Sequence, residues 1–217
     1  MTGLFPTLEA IPVAESGSDV AYTPEAVAFQ CVAYVTDNVL DGRRGGESWC
    51  EPCAGAGAFV RAMAQEIAGR ALALELDPNA ASVRDGLAVQ GDALTADYAG
   101  VQVVITNPPF TAAARLLRRL LAATDMQVVC FLVLQSWIVA PGKPPEERLD
   151  LLWGPTARPM EQVVLYPRIA FQGPGRDGGS TDMREYCLLV WRRQSDGSWL
   201  SPVTTLRRLD WRTGVVL

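Results

Sequence analysis

Short apolar runs separated by amphipathic stretches fill most of the chain from residue 48 onward. The runs at 48–52 (SWCEP), 71–75 (ALALE), 86–91 (GLAVQG), 101–106 (VQVVIT) and 126–134 (MQVVCFLVL) are mostly apolar throughout rather than alternating. That pattern predicts strands buried on both faces, as in a parallel sheet. Residues 58–69, 79–85 and 111–124 place apolar side chains at helical spacing between them. Upstream, TPEAVAFQCVAYVTDN (23–38) predicts a helix with Thr23 as N-cap, Pro24 in the first helical position and Glu25 in the first turn. Downstream, EQVVLYPRIAF (161–171) and MREYCLLVWRR (183–193) are joined by a glycine-rich stretch and predict an antiparallel closing pair at the sheet edge. Pro141, Gly142 and Pro145 mark an exposed loop, the start of a loop segment read as far as Pro159. Residues 1–20 lack periodicity and read as an N-terminal tail. The expected architecture is α/β: one Rossmann-like domain over 21–217, with a seven-stranded, mostly parallel sheet, one antiparallel strand and helices on both faces.

Composition narrows the chemistry. With 217 residues and 49% hydrophobic content the chain suits one domain with a substantial core. No run of eighteen or more apolar residues appears, and the N-terminus has neither a basic nor an apolar signal region, so the expected location is the cytoplasm. The five cysteines (Cys31, Cys50, Cys53, Cys130, Cys187) lie in apolar surroundings. Cys50 and Cys53 form a C-x-x-C with no second pair, and the chain has no histidine, so they read as small buried hydrophobes and no metal is expected. The lack of histidine also removes Ser-His-Asp and Cys-His mechanisms and imidazole bases. Chemistry falls to carboxylates, amides, backbone groups or a cofactor. The formal charge of −5 is uneven: Arg158 onward carries nine arginines against six acids, and everything before it is acidic. A basic C-terminal part suits phosphate contact on one face, though most of these arginines read as solvated surface.

In a parallel sheet, ligands bind beyond the carboxyl ends of the strands. After the first run comes Glu51-Pro52-Cys53-Ala54-Gly55-Ala56-Gly57-Ala58-Phe59, where Gly55 and Gly57 permit a tight turn and close approach of a ligand. Val60 departs from the dinucleotide fingerprint and no G-K-[ST] follows, which disfavours nicotinamide and P-loop nucleotides. The second run ends at Glu75, a carboxylate placed to accept from ribose hydroxyls, with Asp77 read as a helix N-cap before Pro78. The third leads into Gly91-Asp92-Ala93, where Asp92 can accept from an adenine amino group. The fourth ends in Thr106-Asn107-Pro108-Pro109-Phe110. An aromatic exocyclic amine is a poor nucleophile because its lone pair is delocalised into the ring. Two acceptors holding its N–H bonds, the Asn107 side-chain oxygen and the Pro108 carbonyl, can draw the nitrogen toward tetrahedral geometry. The prolines fix the turn without adding backbone donors, and Phe110 offers a face for a base.

Together these motifs resemble the amino-methylating class I S-adenosylmethionine-dependent methyltransferases over roughly residues 22–110. Their order resembles the gamma group of DNA adenine-N6 enzymes, and Ala21-Tyr22-Thr23-Pro24 resembles that group's upstream cofactor motif. Pro167-Arg168-Ile169-Ala170-Phe171, the glycine-rich stretch and Glu185 to Trp191 resemble the tail of small phage-type adenine methyltransferases. The resemblance implies S-adenosylmethionine as cofactor, contacted by Tyr22, Thr23, Pro24, Glu51, Pro52, Cys53, Ala54, Gly55, Gly57, Phe59, Glu75, Asp92, Ala93 and Asn107. It implies catalysis by Asn107, Pro108, Pro109 and Phe110 on adenine N6 in DNA, with the base flipped out of the duplex. Phe110 and Phe171 are the candidates to pack against that base, and Arg168, Arg176 and Arg184 to hold phosphates. N-P-P-[FY] also occurs in enzymes that methylate rRNA or tRNA bases or a glutamine amide, and a catalytically idle binding subunit is a further alternative. No sizeable target-recognition domain follows Trp191, which implies relaxed or short sequence specificity.

Overall fold

The structure, a computed structural model, describes residues 21–139, 146–171 and 184–217. Helix α1 (Glu25–Tyr34) runs on into a π-helical turn (Val35–Val39). It is followed by β1 (Ser48–Glu51), α2 (Ala58–Glu66), β2 (Arg70–Glu75), α3 (Ala81–Arg84), β3 (Val89–Gln90) and β4 (Val103–Thr106). Next come α4 (Ala113–Ala122), β5 (Val128–Leu134), α5 (Gln135–Val139), α6 (Glu146–Trp153), β6 (Ala157–Arg158) and β7 (Glu161–Tyr166). The chain finishes with β8 (Tyr186–Arg192), β9 (Trp199–Leu200), β10 (Thr205–Asp210) and β11 (Val215–Val216).

Nine strands form one sheet in the order β11-β10-β7-β8-β5-β4-β1-β2-β3, and β6 pairs with β9 separately. Strands β1 to β5 are mutually parallel, and β8 runs antiparallel between β5 and β7. Every residue of β5 is buried, which its unbroken apolar run requires. Strand order advances one way from β1 through β2 to β3 and the other way from β4 to β5. Right-handed crossovers therefore place α2 and α4 on opposite faces of the sheet. Helix α1 packs against α2, and α6 packs against α4. The Trp191 indole of β8 packs edge-on to Phe131 and donates to the Leu151 carbonyl of α6 at 3.1 Å. The strand order reverses between β1 and β4, the switch point at whose carboxyl ends ligands bind in open α/β sheets.

The sheet is larger than the pattern predicts. The expected closing pair exists as β7 and β8, but it is interior, because β10 adds parallel to β7 and β11 adds antiparallel to β10. A second antiparallel strand is thus present. The segment TLRRLD hides its strand character behind two arginines. Leu209 is buried, while Arg207 donates to Glu161 Oε1 at 3.1 Å. Tyr34 of α1 donates to the other oxygen of the buried Glu161 at 2.5 Å, so both oxygens of that carboxylate are satisfied.

Three local expectations are corrected. Pro24, not Thr23, is the N-cap of α1: its ψ of 144° keeps it extended, and the Thr23 hydroxyl is engaged elsewhere. Part of the expected 141–159 loop is helix α6, anchored by buried Leu151 and Leu152, while Pro141 to Pro145 lie outside the described residues. Asp77 does not cap α3, which starts at Ala81; its carboxylate accepts from the Asn79 N–H at 2.9 Å within the preceding turn. Among the described residues no helix is long and apolar enough to cross a membrane, and no His, Cys, Asp and Glu group is placed to hold a metal ion.

Candidate active site at the carboxyl ends of the parallel strands

The turn after β1 is held from three sides. Gly55 (φ +51°) and Gly57 (φ +87°) both occupy the left-handed region that favours glycine. A Cβ on Gly55 would also stand 3.1 Å from the Tyr22 ring, so this ring lies directly over the loop. The Ala54 N–H donates to the Leu74 carbonyl of β2 at 2.8 Å, and Gly57 serves as N-cap of α2. From α2, Arg61 reaches back to the Ala56 carbonyl at 2.9 Å and to Glu25 of α1 at 2.7 Å. Pro52 is buried and Cys53 half-buried. Glu51 closes β1 with 1% of its surface exposed, accepting from the Cys53 N–H at 2.8 Å. Burial pushes its carboxyl up to about 8, and the charge on Glu75 adds to this, opposed by the Thr106 side chain and the Cys53 N–H.

Strand β2 delivers Glu75 beside the same loop. One carboxylate oxygen accepts from the Gly55 N–H at 2.6 Å and the other from the Asp77 N–H at 2.9 Å. Each oxygen keeps a further lone pair, so the group can still accept from an incoming ligand. The Gly91 N–H donates to the Glu75 carbonyl at 2.9 Å, bringing the end of β3 alongside. Asp92 then accepts from the Leu94 N–H at 2.8 Å through one oxygen, and Ala93 is buried beneath it. Burial, then Glu75 and Asp77, raise the Tyr22 hydroxyl above its ordinary range. Carboxyl groups thus stand at three neighbouring strand ends, Glu51 at β1, Glu75 at β2 and Asp92 just past β3.

Asn107 follows β4. Its Nδ2 donates to the Ala21 carbonyl at 2.9 Å and to the Thr23 hydroxyl at 3.2 Å. A backbone carbonyl can only accept, so the amide is held with its NH2 toward Ala21 and Thr23 and its Oδ1 on the opposite side. Neither Asn107 Oδ1 nor the Pro108 carbonyl accepts a hydrogen bond among the described residues. Pro108 is buried, Pro109 is exposed with its carbonyl turned to the Ala112 N–H, and Phe110 is half-buried against the core.

Contacts link Glu75 to Gly55, Gly55 to Tyr22, and the neighbours of Tyr22 to Asn107. Other predicted residues are packed away or lie farther off. Phe59 and Ala54 are buried, the first in the main core, and act through packing. Phe171 is 2% exposed and packed on Tyr186 with ring centres 4.2 Å apart, which corrects the expectation of an open stacking face. Arg168 is 3.9 Å from Glu185, Arg184 is exposed, and Arg176 lies outside the described residues. Sequence spacing missed two features of the site. Arg61 belongs to none of the motifs, and the tie from Ala21 and Thr23 to Asn107 spans 86 and 84 residues. A groove of about 710 Å³ lies elsewhere, between α4 and residues 94–99. Two of its arginines are already engaged there, Arg118 with Glu147 and Asp150, and Arg119 with the Thr95 and Ala96 carbonyls.

No protein-family model and no curated protein sequence matches the chain. Solved structures do match it. One is the type IIG restriction endonuclease BpuSI, at 16% identity and a TM-score of 0.59 over 89% of this chain and 27% of that one. Another is the 23S rRNA methyltransferase ErmE, at 15% identity and 0.56 over 83% and 72%. A third is a type I restriction-modification methyltransferase subunit from Streptococcus thermophilus, at 13% identity and 0.54 over 90% and 48%. The chain spans about half or less of the restriction-modification proteins it resembles. At these identities the likeness bears on architecture, and that architecture is the Rossmann-like α/β fold of methyltransferases.

Proposed function

We propose that the chain transfers a methyl group from S-adenosylmethionine to the exocyclic N6 amino group of adenine in DNA. The observation that carries this reading is the pair of unengaged acceptors, Asn107 Oδ1 and the Pro108 carbonyl, at the end of β4. An amine has two N–H bonds, and two neighbouring acceptors match them.

The residues around the Gly loop fit the proposed cofactor. It is cationic at sulfur, and Glu75, Asp77 and Asp92 make this an acidic site. Glu75 keeps lone pairs for the ribose hydroxyls, and Gly55 and Gly57 allow the left-handed turn that carries the loop past the end of β2. Bound there, S-adenosylmethionine would supply an electrophilic methyl group, its carbon–sulfur bond breaking as the new bond forms so that the sulfur leaves as a neutral thioether. The protein's part is to hold the target nitrogen in line for attack and to exclude water. Asn107 and Pro108 accept the two N–H bonds and shift the lone pair out of conjugation. As the nitrogen forms its new bond to carbon it becomes acidic, and one of those protons leaves by way of Asn107 Oδ1 to solvent. No histidine is needed. Phe110 offers the flipped base an apolar surface beside these acceptors.

Motif order and the phage-type tail favour DNA over RNA. The reading takes 21–217 as one catalytic domain. The test is methyl transfer from labelled cofactor to pools of DNA, RNA and protein, followed by digestion. Label in N6-methyl-2′-deoxyadenosine from DNA is expected. Label confined to RNA bases or glutamine would reassign the substrate, and none anywhere would remove the enzymatic reading.

A further inference from the structure

We infer that Thr23 is a positioning residue whose hydroxyl, together with the Ala21 carbonyl, locks the plane and sense of the Asn107 amide. The inference rests on the methyl-transfer reading for its consequence but not for its geometry. The terminal torsion of an asparagine is broad and roughly two-fold, so a free amide samples both senses and rocks between them. Reversed, it would present N–H to an incoming amine, donor against donor. The Ala21 carbonyl, 2.9 Å from Nδ2, excludes that sense because it would oppose Asn107 Oδ1. One hydrogen bond fixes the sense but leaves the plane free to tilt. The Thr23 hydroxyl, 3.2 Å from the same nitrogen, takes the second N–H and fixes the plane.

The clamp is itself anchored. Tyr22 stands between the two acceptors, with its ring over Gly55. Pro24 then holds the chain extended at the head of α1, and Arg61 ties that helix to the Gly loop through Glu25. A three-residue segment therefore rests at one point on the cofactor loop and at two on the group that receives the target amine. In-line transfer tolerates little misplacement of the reacting nitrogen, so a rocking acceptor lowers turnover without altering cofactor contacts.

Thr23→Val removes the acceptor at almost constant shape, and Thr23→Ser keeps it. We expect kcat to fall about tenfold in the valine variant, a larger effect than any on the KM for S-adenosylmethionine, with the serine variant recovering most of that loss. Hydrogen exchange of the Asn107 side-chain amide, assigned by its loss in Asn107→Ser, gives a reading independent of catalysis. It should be slow in wild type and the serine variant and clearly faster in the valine variant. Unchanged kcat and exchange in Thr23→Val would overturn the inference, as would a raised cofactor KM with unchanged kcat. If the wild type methylates no pool, the functional reading falls, while amide exchange still decides the clamp.

Discussion

Asn107 and Glu75 sit at the ends of different strands and should fail in different ways. Asn107 touches no part of the Gly loop directly, so Asn107→Ala should abolish methyl transfer while calorimetry finds cofactor affinity within a few-fold of wild type. Near-normal turnover would remove Asn107 from the reaction. Glu75 holds Gly55 and Asp77 in place and keeps lone pairs for a ligand. Glu75→Ala should therefore weaken cofactor binding by about 1.5–3 kcal/mol, the worth of hydrogen bonds to a charged group. Unchanged affinity would move that role elsewhere, with Asp77 the nearest carboxylate. Glu51 bears on stability. Its carboxyl lies at about 8 in the folded protein against 4.5 as its ordinary value, so the folded state holds this proton more tightly than the unfolded chain. That contribution is complete below about 4.5 and is lost as pH rises through about 8. Glu51→Gln, neutral throughout, should gain stability relative to wild type across that window. Parallel denaturation profiles from pH 5 to 9 would show that Glu51 is not held protonated.

At the scale of elements, the far side of the sheet depends on one buried carboxylate. Glu161 of β7 is grasped by Tyr34 from α1 and Arg207 from β10, which joins a helix and two strands at a single point. Tyr34→Phe leaves one oxygen of a buried carboxylate without its donor, a loss of about 1.5–3 kcal/mol. Urea denaturation should read that loss, with cofactor affinity unchanged because the site lies at other strand ends. A variant as stable as wild type would mean that Arg207 alone satisfies Glu161. The strands around the site were legible because they are buried on both faces: SWCEP, VQVVIT and MQVVCFLVL announce themselves by unbroken apolarity. Strand β10 was not. Its arginines read as surface, and only the partners Glu161 and Tyr34, far off in sequence, make one of them a sheet contact.

At the largest scale, the proposal expects residues 21–217 by themselves to recognise a relaxed or short sequence, since direct readout needs side chains held against base edges by a rigid element. Arg168 and Arg184 flank the glycine-rich stretch and can bear on phosphates, which positions a strand without reading it. Binding to DNA should therefore weaken steeply with added salt, and modified adenines mapped on a random pool should show few fixed neighbours. One motif of four or more fixed bases would assign sequence reading to these loops or to a partner chain.

The chain's order of motifs determined by itself the parallel sheet and its switch point, and singled out Gly55, Gly57, Glu75, Asp92 and Asn107 as candidates at its strand ends. Each is a local matter of turn chemistry or strand burial, and local patterns survive in a linear string. Tertiary structure alone decided the rest. It placed Phe171 in the core against Tyr186 and made β7 and β8 interior strands. It withdrew Thr23 from capping α1 and put its hydroxyl on Asn107. Those outcomes turn on which distant group satisfies a given donor, acceptor or apolar face. Residue spacing carries no record of that choice, because it is made only when the packed strands bring the candidates together.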